Sequence, residues 1–254
     1  RGGVGGRCHK PDGRSTGVGF VAQRKSRTGG VVKMADKDDL ALCLRMLEHQ
    51  EIIDYNGHAS IRCEVGMLIN VGSSQRSRLT ADDICTIDLD GNLIEGKGKP
   101  PLEFHLHAGI YKSRPEVKAI IHAHPQWSTY LTMTGHDYLP VFAQGTLVHP
   151  VPVLDTPDSI NSPEMSARLG GVMGDRPAAL MKSHGAVTVG AHIKEAFVLI
   201  NYLEENARRQ YMALQIGSPY AFNAAESEAA HEKLWNQGLF QRTWDHFAAK
   251  LEDA

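Results

Sequence analysis

The arrangement of apolar segments in the second half of the chain constrains the fold more than any other feature. From residue 103 onward, short apolar segments of strand length alternate with longer segments of helical periodicity. The predicted strands are 117–123, 151–154, 178–182 and 186–189, and the predicted helices are 103–113, 126–134, 163–172, 192–216 and 224–251. Strands that alternate with helices are typical of a sheet with helices packed on it.

The preceding part of the chain predicts one helix followed by several short strands. Leu40, Leu44 and Leu47 recur at helical spacing and predict a helix over 36–54. Asp90-Gly91 is a strong signal for a hairpin turn. The predicted strands here are 59–63, 67–71, 84–89 and 92–95. Because hairpins pair strands antiparallel, we predict a single layered α/β domain, with a central mixed or antiparallel sheet flanked by helices.

Residues 1–33 differ from the rest of the chain in composition. They contain eight Lys or Arg residues, nine glycines and a single acid, Asp12, without a helical or strand period. Such a composition is typical of disorder. We therefore expect this segment to be disordered or to be a non-native extension, and the folded domain to span residues 34–254.

Charge, hydropathy and cysteine spacing exclude several classes of protein. The chain has 27 Lys or Arg and 29 Asp or Glu residues, a formal charge of −2, which is not the basic surface of a nucleic-acid binder. No apolar run approaches the roughly 20 residues of a membrane span. The four cysteines are far apart, as is typical of reduced thiols. We expect a cytoplasmic protein with no nucleic-acid or membrane partner.

Histidines follow two of the predicted apolar strands. His122 and His124 end the first of them, two residues apart, so their side chains share one face of the strand. His184 follows another strand and precedes a glycine, and α/β sheets place ligands at strand ends. Glu103 begins a predicted helix nearby in the sequence. Three histidines and a carboxylate are a common ligand set for Zn²⁺ or Mn²⁺, so these four residues are candidate metal ligands.

Several motifs together resemble the class II aldolase/adducin family. They are, in chain order, Asn56-Gly57-His58-Ala59-Ser60, Leu79-Thr80, Asp88-Leu89-Asp90-Gly91, Glu103-x-x-x-His107, Tyr111-Lys112-Ser113-Arg114-Pro115, His122-Ala123-His124-Pro125 and His184-Gly185. The resemblance runs from residue 36 to at least residue 215 in one consistent order. It implies a class II aldolase-like fold and one divalent metal ion per subunit. It also implies a homotetramer with a site at each subunit interface.

The resemblance implies specific roles for the candidate ligands. Enzymes of this family bind the metal through three histidines, matched here by His122, His124 and His184. A glutamate that acts as acid/base and also contacts the metal is matched by Glu103.

Two apolar regions are candidates for the contacts of such a tetramer. One is the segment 138–145, and the other is the C-terminal helix with Trp235, Phe240 and Trp244. These aromatic residues either contact a neighbouring subunit or fold back on their own.

The chain departs from the sugar-phosphate aldolases of this family at the positions that hold phosphate. Those enzymes use an Asn, a Thr-Pro-Ser/Thr-Gly loop and a Ser-Ser pair. The corresponding positions here read His58, Asn70-Val71-Gly72-Ser73 and Pro101-Leu102. Because a ring, aliphatic carbons and proline replace small donors to a dianion, we do not expect a phosphosugar substrate.

Candidate substrate-binding residues lie close to these departures. An arginine side chain suits a planar carboxylate, and the loop after residue 71 contains two arginines. Aromatic residues such as Trp127 and Phe142 suit an aromatic ring. The predicted substrate-binding residues are His58, Ser73, Ser74, Arg76, Arg78 and Trp127.

Within the family, the segment 100–107, Trp127 and the segment 204–207 resemble decarboxylases of hydroxylated aromatic dicarboxylic acids. We interpret the chain as a carboxy-lyase, dependent on Mn²⁺ or Zn²⁺, for an aromatic or pyridine diacid in a catabolic pathway such as vitamin B6 breakdown. Either Glu103 or His105 delivers the proton. The alternatives are a retro-aldolase or epimerase for a small hydroxy acid or sugar, and a non-catalytic, adducin-like interaction module.

Overall fold

The computed structural model describes Gly2 and residues 34–253. The expectation of disorder concerns residues 1–33, which lie, apart from Gly2, outside the described residues. The helices are α1 Met34–His49, α2 Phe104–Ser113, α3 Gln126–Met133, α4 Pro163–Met173, α5 Ile193–Leu214, α6 Ala224–Leu234 and α7 Gln237–Glu252. The strands are β1 His58–Cys63, β2 Gly66–Asn70, β3 Ile84–Ile87, β4 Leu93–Glu95, β5 Ala119–Ala123, β6 Val153–Leu154, β7 Ala178–Met181 and β8 Gly185–Gly190.

These strands form one sheet in the order β4-β3-β2-β1-β5-β8-β7-β6. All neighbouring strands are antiparallel except β6 and β7, which are parallel. A mixed sheet flanked by helices confirms the predicted fold class. Because β5 lies between β1 and β8, residues at the ends of these three strands meet at one edge of the molecule. Among the described residues, no helix has the length and apolarity that a membrane span requires.

Helices cover both faces of the sheet because its central strands are apolar on both faces. Ile121 packs into a core formed with α1, α3, α5 and α7. Its neighbour Ile120 packs into a second core formed with α2 and α4. The alternation of side chains along β5 thus supplies both cores from one strand.

The aromatic residues of α7 pack into the core of their own chain. Phe240 is fully buried, and the ring centroid of Trp244 lies 5.3 Å from that of Phe197 in α5. Tyr138, in the segment 138–145, is also buried. Of the two alternatives for the C-terminal aromatic residues, the structure shows the second: they fold back on their own subunit.

Two predicted helices differ from the observed ones. Helix α1 ends at His49 rather than at residue 54, because Glu51 has a φ of 58°, in the left-handed region. The predicted helix 224–251 is two helices, since the Asn236 side chain accepts a hydrogen bond from the Leu239 amide and begins α7. The predicted Asp90-Gly91 turn is confirmed between β3 and β4.

Candidate metal centre

The ends of β5 and β8 bring three histidines together. His122 lies in β5, His124 follows it, and His184 lies in the turn before β8. Gly185 allows the two strands to approach, because a Cβ at this position would lie 2.3 Å from the Ala123 carbonyl oxygen. Three ring side chains thereby meet at one edge of the sheet.

Glu103 completes the cluster from the opposite side. It precedes α2 and makes no capping hydrogen bond with its side chain, so its carboxylate points to the histidines instead. One potential ligand atom from each of Glu103, His122, His124 and His184 lies within 4.8 Å of every other. The structure thus brings the four predicted metal ligands to one place.

Hydrogen bonds orient all three histidine rings. Nδ1 of His122 lies 3.0 Å from the Ala186 carbonyl oxygen, and Nδ1 of His184 lies 3.2 Å from the Asp158 carbonyl oxygen. Nδ1 of His124 lies 3.2 Å from both carboxylate oxygens of Asp54. Because these oxygens only accept, each Nδ1 carries the proton and each Nε2 presents a lone pair to the cluster.

The donor set fits a divalent cation. Nε2 of His122 and Nε2 of His124 are buried and have no hydrogen-bond partner. Burial lowers the pKa of His184 to about 4, so its ring is neutral at physiological pH. Unpartnered imidazole nitrogens beside a carboxylate are what Zn²⁺ and Mn²⁺ sites use.

The Glu103 carboxylate is held in place and ionised. Its Oε1 accepts a hydrogen bond of 2.7 Å from the Ile160 amide, and its Oε2 lies 3.4 Å from Nε2 of His122. Burial raises the pKa of Glu103, but the rings of His122 and His58 outweigh this effect and lower it well below its usual range. In this state Glu103 accepts a proton or contacts a cation.

Sequence reasoning missed Asp54, which orients His124. Burial raises the pKa of Asp54, but hydrogen bonds from Asn56 and His124 outweigh this effect. The pKa is lowered overall, so Asp54 remains a carboxylate. A carboxylate behind a histidine ligand makes the ring a better donor to a metal. Asp54 is 70 positions away from His124, and no short motif signals their contact.

A cavity of about 530 Å³ adjoins the cluster. Glu103, His124 and His184 line one side of it. The remaining lining residues are Asn56, His58, Gly72, Arg76, Pro100, Pro101, Leu102, Pro157, Ser159 and Ser183. We call this space the site cavity.

Arg76 is a buried cation beside the site cavity. Its side chain donates to the Gly57 carbonyl oxygen at 2.7 Å and to Ser74 Oγ at 3.0 Å. Burial lowers the pKa of Arg76, and the charge of Asp54 opposes this effect. The guanidinium therefore fixes the loop after β2 and presents positive charge to the cavity.

Three predicted substrate residues lie outside the site cavity. Ser73, Ser74 and Arg78 line a separate groove together with Lys97. Arg76 and Arg78 lie in one turn of 3₁₀ helix, where two positions span about 240° and side chains point to different sides. The structure therefore separates these arginines; Ser74 still contacts the Arg76 guanidinium.

His105 is also separated from Glu103. It lies in a groove between α2 and α4, with its ring centroid 4.0 Å from that of Phe104. Two helical positions differ by about 200°, so His105 points away from the cluster. The structure does not place His105 where it can deliver a proton in the site cavity; of the two candidates, only Glu103 lies there.

Trp127 and Phe142 line a third cavity with Tyr202, Arg208 and Phe247. The Trp127 amide donates to Glu204 at the start of α3, and its ring lies 5.1 Å from that of Tyr211. Because α3 begins directly after Pro125, the indole turns away from His124. Trp127 therefore does not share the site cavity within one chain.

Comparisons with known proteins agree with the fold. The model of the class II aldolase and adducin N-terminal domain matches residues 38–211. The chain is 30% identical to the 5-methylthioribulose-1-phosphate/5-deoxyribulose-1-phosphate aldolase of Rhodospirillum rubrum, over 72% of this chain and 82% of that protein. It is 29% identical to the 3,4-dihydroxyphthalate decarboxylase of Arthrobacter keyseri, over 86% of this chain and 94% of that protein.

Other relatives are named as L-fuculose phosphate aldolases, as in Methanocaldococcus jannaschii, and these names are more numerous than the decarboxylase. Among solved structures, an aldolase II superfamily protein from Pseudomonas syringae superposes with a TM-score of 0.78 at 20% identity. That match covers 92% of this chain and 97% of the other. At this identity it supports the fold alone.

Proposed function

This chain belongs to the class II aldolase and adducin family, and from that premise we propose that it is a metal-dependent decarboxylase of a hydroxylated aromatic or pyridine dicarboxylic acid. The observation that carries the proposal is the lining of the site cavity. His58, Pro101 and Leu102 line it at positions where, by resemblance, the family's sugar-phosphate aldolases have small phosphate donors, and Arg76 lines it beside them. The Arg76 guanidinium and the His58 ring suit a flat carboxylate.

Among the relatives, the decarboxylase of Arthrobacter keyseri supports this reading. Its alignment covers 86% of the chain, whereas that of the aldolase from Rhodospirillum rubrum covers 72%. By resemblance of motifs, an enzyme such as 3-hydroxy-2-methylpyridine-4,5-dicarboxylate decarboxylase is a suitable comparison. The proposed product class is therefore a hydroxylated aromatic monoacid plus CO₂.

The residues that would hold the metal are His122, His124, His184 and Glu103. A divalent ion, Mn²⁺ or Zn²⁺, would supply a Lewis acid that stabilises the enolate-like anion left when the C–C bond breaks. The histidines would hold it through Nε2, because their Nδ1 atoms are engaged by Ala186, Asp54 and Asp158.

The chain's own residues bind the substrate and move the proton. Arg76 attracts one substrate carboxylate to the side of the cavity away from Glu103. Glu103, ionised in the free site, accepts the proton of the ring hydroxyl and gives it to the ring carbon that bears the departing carboxylate; as CO₂ leaves, the electrons of the broken C–C bond return to the ring, and the ring oxygen takes up one proton from solvent. The Ile160 amide keeps the Glu103 carboxylate oriented during both transfers.

We extend the proposal to the rest of the protein on the same premise. Residues 34–254 form the catalytic domain, which assembles as a homotetramer with sites at subunit interfaces. In such an assembly a neighbour's residues complete the site cavity. The described free cysteines Cys43, Cys63 and Cys85 favour the cytoplasm.

A retro-aldolase or epimerase is the second candidate, favoured by the number of relatives that are named as aldolases. A non-catalytic module of the adducin type has less support, because the four candidate ligands are all present and converge. All three candidates share the fold; they differ in the reaction that the protein catalyses, or in whether it catalyses one.

A direct assay separates these candidates. The purified protein, loaded with Mn²⁺ or Zn²⁺, is offered a panel of ortho-hydroxy aromatic and pyridine diacids, and separately ribulose- and fuculose-type phosphates. We expect CO₂ release from at least one diacid and no cleavage of the phosphates. Phosphate-sugar cleavage without CO₂ release establishes the aldolase instead, and inactivity on both with bound metal favours the interaction module.

A further inference from the structure

A chain of buried polar side chains leads from the site cavity into the second core. Nδ1 of His58 lies 2.7 Å from Nε2 of His107. Nδ1 of His107 lies 2.7 Å from Ser60 Oγ, and Ser60 Oγ lies 2.9 Å from the Tyr111 hydroxyl. None of these four side chains belongs to the proposed metal ligands, and each residue is at most 1% exposed.

Each contact in this series of side chains is short enough to be a hydrogen bond, so one atom of each pair must carry the proton. The series of hydrogen bonds therefore has a direction. Between the two imidazoles one nitrogen donates and the other accepts, and burial disfavours a charge on either ring. If His107 donates from Nε2, its Nδ1 accepts from Ser60, and Ser60 accepts from Tyr111. His58 then accepts at Nδ1 and carries its own proton on Nε2.

The cavity end of this series of side chains favours this direction. At the cavity end, Nε2 of His58 lies 3.6 Å from Oε2 of Glu103, and a carboxylate only accepts. The reverse direction would set a second imidazole lone pair, beside that of His122, against this carboxylate. At the inner end, both directions keep the 2.9 Å contact between Ser60 and Tyr111, and the reverse direction would turn the Tyr111 proton to the Lys118 carbonyl oxygen at 3.4 Å.

His122, on the neighbouring strand, carries its proton on the opposite ring nitrogen. His58 and His122 are register partners between β1 and β5, and their ring centroids are 4.8 Å apart. The Ala186 carbonyl fixes the His122 proton on Nδ1, which leaves Nε2 free for a cation. Two adjacent histidines thus have opposite tautomers because one faces a carbonyl and the other faces His107.

We propose that His107, Ser60 and Tyr111 fix His58 as the tautomer protonated on Nε2. His58 then presents an N–H to the site cavity, 3.6 Å from the Glu103 carboxylate and without a hydrogen-bond partner, so that it can donate to a carboxylate bound there; it is not a fourth histidine ligand of the metal. His107 and Ser60 are positioning residues that act through His58. The tautomer rests on the proposed metal site and not on the reaction, whereas the contact with a substrate carboxylate, and with it the effect on KM, rests on the proposed decarboxylase function.

Nitrogen NMR tests the tautomer directly. In the Zn²⁺-loaded protein labelled with ¹⁵N-histidine, His58 is assigned by loss of its signals in His58→Gln. We expect a protonated Nε2 and an unprotonated, hydrogen-bonded Nδ1 on His58, with the opposite pattern on His122. A His58 ring protonated on Nδ1 alone, or bound to zinc through Nε2, overturns the proposal.

A matched pair of variants tests the positioning role. Ser60→Ala removes the donor to His107, and we expect the NMR signals of His58 to report a mixture of tautomers. Tyr111→Phe leaves Ser60 free to donate only to His107, so the His58 tautomer should remain unchanged. A pure Nε2 tautomer in a folded Ser60→Ala protein would contradict the role of Ser60; if that variant does not fold, a changed tautomer in Tyr111→Phe contradicts the proposed direction.

Metal content and kinetics give a second measurement. His58→Leu should keep one metal per chain, because its three histidine ligands and Glu103 remain, and should raise KM by about tenfold. Loss of the metal in this variant would show that His58 is a ligand. An unchanged KM would show that His58 does not donate to the substrate.

Discussion

The site cavity and the separate groove lined by Ser73, Ser74, Arg78 and Lys97, here called the outer groove, lie near the same loop after β2. Their chemistry differs. Arg76 is buried, holds the loop through carbonyl oxygens and lines the site cavity. Arg78, two residues later, is exposed and lines the outer groove with Ser73 and Lys97. The comparison shows that proximity in sequence to a predicted site is not enough, because a single turn of helix determines which residue faces it.

The start of helix α2 shows the same separation on the other side of the cavity. Glu103 faces the histidines and His105 faces the groove between α2 and α4. In both pairs, two residues two positions apart are candidates for the same role, and only one of them lines the site cavity. Substitutions on the two sides should therefore differ sharply in effect.

The largest difference is expected between His122 and His105. His122→Ala removes a fully buried ligand, so bound metal should be lost and activity should fall by about a thousandfold or more. His105→Ala should retain the metal and most of the activity. Elemental analysis and the CO₂ assay measure both, and a metal-free His105→Ala protein would show that the two sides are coupled.

Asp54 should have the next largest effect. Asp54→Asn removes the negative charge behind His124 while keeping an acceptor for the Asn56 amide. We expect the metal affinity to fall by about 10- to 100-fold, the usual cost of removing such a partner. Competition with a chelator measures this affinity. Asp155→Asn, an exposed carboxylate paired with Lys182, is the control and should leave the affinity unchanged.

The two arginines provide the smallest and most specific contrast. Arg76→Lys should raise KM by about tenfold, because an ammonium does not reproduce the guanidinium fork. Arg78→Lys should change KM by less than about twofold, as for an exposed cation outside the cavity. Since Arg76 also holds the loop, thermal unfolding of both variants is compared with the wild type. Equal KM values for the two folded variants would remove Arg76 from the proposed substrate site.

The four candidate ligands were predictable because local rules place them. A histidine pair at a strand end, a His-Gly turn and a helix-start carboxylate each follow from short segments. Asp54 was not predictable, because it reaches His124 only through the tertiary fold. The orientation of Arg76 and the break before α7 depend on a 3₁₀ turn and on the Asn236 cap, which apolar periodicity does not reveal.

The central claim is that the cluster holds a divalent metal beside Glu103, which moves the proton in decarboxylation. The most direct test compares the wild type with Glu103→Gln in metal content and in CO₂ release from a hydroxylated aromatic diacid. We predict that the variant keeps about one metal per chain through its three histidines and loses about 10²- to 10⁴-fold in CO₂ release. A metal-loaded Glu103→Gln protein that releases CO₂ at nearly the wild-type rate would contradict the account.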